Sequence, residues 1–176
     1  MITQKGHGSP AGNALNKIEK MHMKKQFHDN GFVCSGTGGG GDGTRFKHLK
    51  ISFGTKIPLT IQLARKYIVD GVISYVNEIN QNKHLEQHFT DWPFTYKKLN
   101  YTIDVSVNGG AWPLFPDGPT PDNKISYTEF SNGTIYYLID VNTKKLPQVI
   151  HKETLIEAIA ILKAEGWTEP QASIDN

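Results

Sequence analysis

One long run of helical periodicity, Ile61 to Asn80, constrains the fold more than any other feature. Ile61, Ala64, Ile68, Val72, Tyr75 and Ile79 recur at spacings of three and four and so share one helical face. Leu63, Tyr67, Ile73 and Val76 widen that face. Thr60 stands where its hydroxyl can accept from an early helical N–H. A helix of about twenty residues is about 30 Å long, and one this apolar needs a sheet to wrap it. Gly71 in its middle costs up to ~1 kcal/mol against alanine. Close packing against another backbone would explain it.

The sheet is legible on both sides of the helix. Leu49, Ile51 and Phe53 alternate with polar neighbours over Lys47–Phe53, which is period 2. Tyr101, Ile103, Val105 and Val107 do the same, with Thr102, Asp104 and Ser106 pointing the other way. Lys124–Phe130 and Thr134–Val141 flank Ser131-Asn132-Gly133, and Asn-Gly between alternating runs signals a tight hairpin. Lys83–Thr90 reads as a short second helix ended before Pro93. Glu153–Ala164 is a further amphipathic helix, with Leu155, Ile156, Ile159 and Leu162 on its face and Gly166 placed as its stop. The expected fold is α+β: a long helix on an antiparallel sheet of about four strands, with a second helix at the C-terminal end.

At 176 residues the chain suits one core. The glycine count of 17 is concentrated, with six glycines in the eight positions 36–43. Glycine loses the most backbone freedom on folding, so residues 1–45 are expected to be a flexible arm. Within it, Ala14–Phe27 can form a short polar helix with Leu15, Ile18 and Met21 or His22 on one face. Residues 46–167 are then the domain and 168–176 a tail.

This helix-then-sheet order resembles the layout of cystatin-like and NTF2-like α+β folds. The runs Ile61-Gln62-Leu63-Ala64-Arg65-Lys66, Ile79-Asn80, Trp92-Pro93-Phe94-Thr95 and Gly133-Thr134-Ile135-Tyr136-Tyr137 also resemble those of a group of small uncharacterised bacterial proteins. That resemblance spans most of residues 31–160 and implies the same fold and a bacterial source. It carries over no site residues.

Charge and composition exclude several functions. Nineteen basic against seventeen acidic side chains leave a net charge of +2, without the clustered cationic face that nucleic acid requires. No run of about 18 apolar residues is present to span a membrane. Met1–Asn30 lacks an apolar signal core, so a soluble, cytoplasmic chain is the default expectation, with export left open. Cys34 is the single cysteine, so no internal disulfide forms. As a nucleophile it would need an ordered, electropositive setting, and it lies beside the glycine run.

Four features could carry chemistry. Gly36–Gly41 matches the letters of a dinucleotide fingerprint, but it leads into a strand rather than a helix, and no cofactor is expected. His84 and His88 are four apart, and on an α-helix they would share a face and could clamp a metal, with Asp91 as a third ligand. Asp104 and Asp140 lie out of phase with their apolar neighbours and are expected to face solvent. Glu129 shares a phase with Ile125 and Tyr127 and is the one carboxylate expected in a pocket between helix and sheet. The loop over 109–123 holds Trp112, Leu114 and Phe115 among prolines, and stiffly held aromatics suit a contact surface. The leading expectation is therefore a non-enzymatic module that binds a partner, a protein first of all, through the 109–123 loop and one sheet face. The alternatives are a small-molecule binder or enzyme with an NTF2-like pocket, and a metal protein using His84 and His88.

Overall fold

A computed structural model describes residues 10–26, 31–41, 45–105, 124–140 and 146–170. Helix α1 spans Pro10–Gln26 and is followed by strands β1 (Phe32–Gly41) and β2 (Phe46–Thr55). The long helix α2 is Ile61–Gln81. Strands β3 (Leu99–Val105), β4 (Tyr127–Ser131), β5 (Thr134–Ile139) and β6 (Gln148–Thr154) follow, then helix α3 (Leu155–Ala164). All six strands form one sheet in sequence order. The α+β class stands, and the sheet is larger than the four strands expected, with β1 and β6 at its edges.

The sheet is mixed. β2 and β3 run parallel, because α2 carries the chain back between them. The remaining neighbours are antiparallel, so β3 to β6 form a meander. The turn between β4 and β5 has φ of 50° at Asn132 and 81° at Gly133. Both values are left-handed, which is the geometry that Asn-Gly favours.

The α2 stripe is buried as its spacing requires: Ala64, Ile68, Val72, Tyr75 and Ile79 are all inaccessible. It packs on Leu49, Ile51, Phe53, Tyr101, Ile103, Phe130, Ile135 and Tyr137. Thr60 caps α2 by accepting from the Leu63 N–H. Gly71 is where Tyr101 crosses the helix. A Cβ there would stand 2.3 Å from the Tyr101 hydroxyl, so a side chain rather than a backbone demands the glycine. Helix α3 begins with a capping box, Thr154 and Glu157, and Gly166 ends it with φ of 88°.

Residues 10–26 and 32–41, which fall in the expected arm, contribute α1 and β1 to this layer. α1 buries Leu15, Ile18 and His22, one helical face, and leaves Met21 exposed. The glycine run, expected as a tether, pairs with β2 from Phe32↔Thr55 to Gly41↔Phe46. Part of its composition is steric. A Cβ at Gly39 would lie 2.7 Å from the Phe46 ring, and one at Gly41 only 1.8 Å from the Arg45 carbonyl oxygen. Backbone pairing supplies the hydrogen bonds, so an edge strand can form here without apolar alternation.

Candidate functional site

The helices cover one face of the sheet. Among the described residues, no helix covers the other. Cross-strand partners share a face, so the register orders the open side. Ser52, Thr102, Glu129, Tyr136 and Lys152 form one row across it. Gly54, Asp104, Tyr127 and Leu138 form the next. Lys50 lies beside Asn100 on the far side of the first row.

A groove of about 470 Å³ opens on this face, over β1 to β4. Its wall on β1 is Ser35, Gly36, Thr37 and Gly38, and its floor is Lys50, Ser52, Thr102, Asp104 and Tyr127. That volume falls within the range of small-ligand sites, about 300–1,000 Å³. A Cβ at Gly36 or Gly38 would meet nothing within 4 Å. Unlike Gly39 and Gly41, these two glycines are not demanded by their neighbours, and they hold the groove open.

Apart from glycine, every residue lining the groove carries a polar group. Tyr127 is hydrogen-bonded to Thr102; burial, with the charge of Glu129 next, pushes its hydroxyl up to about 12. It stays a neutral phenol at ordinary pH, able to donate and accept. Burial, then the negative charge of Asp140, raises the Asp104 carboxyl above its usual range. Asp104 was expected to face solvent. It does face away from the core, but it is half-buried by its neighbours on the open face. Lys50 is the cation of the groove. The hydroxyls of Ser35, Ser52 and Thr102 complete a surface that can donate and accept hydrogen bonds along its length.

No protein family, no curated protein and no solved structure matches the chain.

The space between α2 and the sheet, where Glu129 was expected to line a pocket, is filled. Tyr75, Tyr101 and Tyr137 are wholly buried in it. Glu129 is half-buried on the opposite face, beside Thr102 and Tyr136. It shares that face with Tyr127 but not with Ile125, which is buried in the core, and the core side of β4 belongs to Thr128 and Phe130. His84 and His88 lie on a 3₁₀ helix, Lys83–His88. At three residues per turn, positions four apart are rotated by about 120° rather than stacked. Asp91 is ion-paired with Lys98. Among the described residues no group of three or more His, Cys, Asp or Glu side chains is placed to hold a metal ion. Trp112, Leu114 and Phe115 lie outside the described residues. Cys34 is half-buried, and burial raises its thiol, with the charge of Glu19 adding to the effect, which disfavours the thiolate a nucleophile needs.

Two buried polar clusters went unread in the sequence, and both tie helices to the core. His22 on α1 reaches Glu78 Oε2 at 3.0 Å through Nδ1 and the Tyr101 hydroxyl at 3.2 Å through Nε2. Glu19, one turn earlier, is met by the hydroxyls of Tyr75, at 3.4 Å, and Thr37. On the other side of α2, Arg65 Nε donates to Glu153 Oε1 at 2.8 Å, and the Tyr137 hydroxyl donates to the same oxygen. Both clusters are built around buried side chains, Glu19 and His22 in one and Arg65 and Glu153 in the other, and so fasten the fold; the groove is the more accessible chemistry.

Proposed function

We propose that this chain is a non-enzymatic binding module that takes a small polar ligand on the open face of its sheet. The observation that carries the reading is the pair Gly36 and Gly38. Glycine weakens a strand by roughly 0.5–1 kcal/mol against alanine, and neither position has a neighbour that forbids a side chain. What a side chain there would remove is the groove. The groove offers hydroxyls, one ammonium and one carboxyl, a set suited to recognition by hydrogen bonds and charge.

The 109–123 segment belongs to the same reading. The chain leaves the sheet at Val105, next to Asp104, and returns at Lys124 shortly before Tyr127. Both anchors adjoin the groove, which supports a role for Trp112, Leu114 and Phe115 in meeting a partner there. A cystatin-like or NTF2-like layout remains the proposed fold relationship. The ligand site of this reading is on the face that no described helix covers, because tyrosines fill the helix-covered one.

The test is a screen of small polar metabolites by thermal shift against the wild-type chain and Gly38→Ile. The reading expects at least one ligand that raises the melting temperature of the wild type and leaves Gly38→Ile unchanged. Trp112→Ala with Phe115→Ala should weaken the same ligand. Equal shifts in wild type and Gly38→Ile would overturn the groove as the site.

A further inference from the structure

The two charges of the groove do not meet each other. Lys50 and Asp104 line one space, yet neither side chain has a hydrogen-bond or ion-pair partner among the described residues. Lys50 is in register with Asn100, and Asp104 is four residues further along the same strand. At about 3.3 Å per residue, the two positions lie roughly 13 Å apart along the groove. The groove residues between them, Ser52 and Thr102, are neutral donors and acceptors; Tyr127 stands level with Asp104, and Glu129, opposite Thr102, borders the groove on the same face.

This spacing selects among ligand classes. A plain anion would meet Lys50 and leave the half-buried Asp104 facing Asp140 without relief. A plain cation would meet Asp104 and be repelled at the other end. A neutral polyhydroxy ligand would cover both charges and pair neither, and an unpaired covered charge is costly. A ligand with an ammonium at one end and a carboxylate at the other satisfies both. Its charges must be separated by the 13 Å less the reach of the two side chains. Two or three extended residues span about 7–10 Å.

Resting on the binding reading above, we infer that the groove takes a zwitterion of di- or tripeptide length, with its ammonium on Asp104, its carboxylate on Lys50 and its amide groups on the hydroxyls between. The upward displacement of the Asp104 carboxyl fits an acid that lacks a cation in the empty chain.

The experiment is calorimetric titration of the full chain with trialanine, N-acetyl-trialanine, trialanine amide and a neutral sugar. Trialanine is expected to bind, and blocking either terminus to weaken it about tenfold or more, since charge-assisted contacts are the strong ones. Asp104→Asn should weaken trialanine and leave the N-acetyl form unchanged. Lys50→Met should weaken trialanine and leave the amide unchanged. Blocked peptides that bind as tightly as trialanine, or a trialanine that does not bind, overturn the inference. If the sugar or a singly charged probe then binds wild type but not Gly38→Ile, the groove survives as a site for another ligand class. If no probe distinguishes wild type from Gly38→Ile, the binding reading falls as well.

Discussion

Gly71→Ala sets two physical effects against each other with opposite signs. Helix propensity alone predicts that alanine in the middle of α2 stabilises the chain by ~1 kcal/mol. Packing predicts the reverse. The new Cβ would lie 2.3 Å from the Tyr101 hydroxyl oxygen, 2.5 Å from its Cζ and 2.9 Å from its Cε1. Carbon atoms prefer roughly 3.5–4.0 Å, and Tyr101 is wholly buried, so it has no open space to enter. Overpacking of this kind costs about 1–3 kcal/mol. Displacing the ring also disturbs its 3.2 Å contact with His22, and one hydrogen bond is worth about 0.5–1.5 kcal/mol net. Set against the helix-propensity gain, the net expectation is a loss of about 0.5–3.5 kcal/mol. Urea unfolding followed by circular dichroism measures it, given an unchanged slope. A Tyr101→Leu background should remove most of the loss, because the two sites are coupled. A Gly71→Ala chain as stable as wild type, or more so, would refute the packing argument.

Three further outcomes follow from the buried clusters and the edge strand. Burial raises the Glu19 carboxyl above the ordinary 4.5, more than its bonds to Thr37 and Tyr75 lower it. The folded state therefore holds that proton more tightly than the unfolded chain, and its contribution is full below 4.5 and lost as pH rises through the raised value. Glu19→Gln should flatten that decline and be the more stable form at pH 7, as read by urea midpoints from pH 4 to 8; a steeper decline would contradict the sign. Arg65→Met strands the buried Glu153 carboxylate and should cost about 3–5 kcal/mol; adding Glu153→Gln should recover most of it in a double-mutant cycle, and simple additivity would show that the pair is not coupled. In β1, Gly36→Ile and Gly38→Ile should be neutral or stabilising by roughly 0.5–1 kcal/mol. Gly41→Ala should destabilise, because the atom in its way is backbone; the same sign at all three positions would refute the distinction drawn between them.

Much of the fold was legible because it rests on periodicity. The α2 stripe, the β3 and β5 alternation, the Asn132-Gly133 turn and the Gly166 stop each follow from residue type and spacing. β1 was illegible because glycine carries no side-chain pattern; its strand exists through pairing with β2, a non-local interaction. β6 was illegible because it is an edge strand with little burial, where only Glu153 is covered. The parallel β2–β3 pairing is a matter of topology and leaves no local mark.

The site was harder to read for a related reason. Asp104 and Thr102 were placed off the core face by alternation, and residues off the core face ordinarily meet water. Their meeting with Lys50 and the bare backbone of Gly36 and Gly38 depends on strand register, which no single segment contains. Glu129 attracted attention by phase, yet phase alone does not say which face of a strand a helix covers. The histidine pair was read with α-helical geometry, and the 3₁₀ turn changes that angle.

The central claim is that ligand recognition belongs to the open sheet face rather than to the helix-covered one. Amide chemical-shift mapping during titration with trialanine, or with any ligand found by the thermal-shift screen, tests it directly. The account predicts shifts concentrated at Gly36, Gly38, Lys50, Ser52, Thr102, Asp104 and Tyr127, and absent in Gly38→Ile. Shifts centred on Ile68, Val72, Tyr75 and Tyr137, with the open face silent, would contradict it.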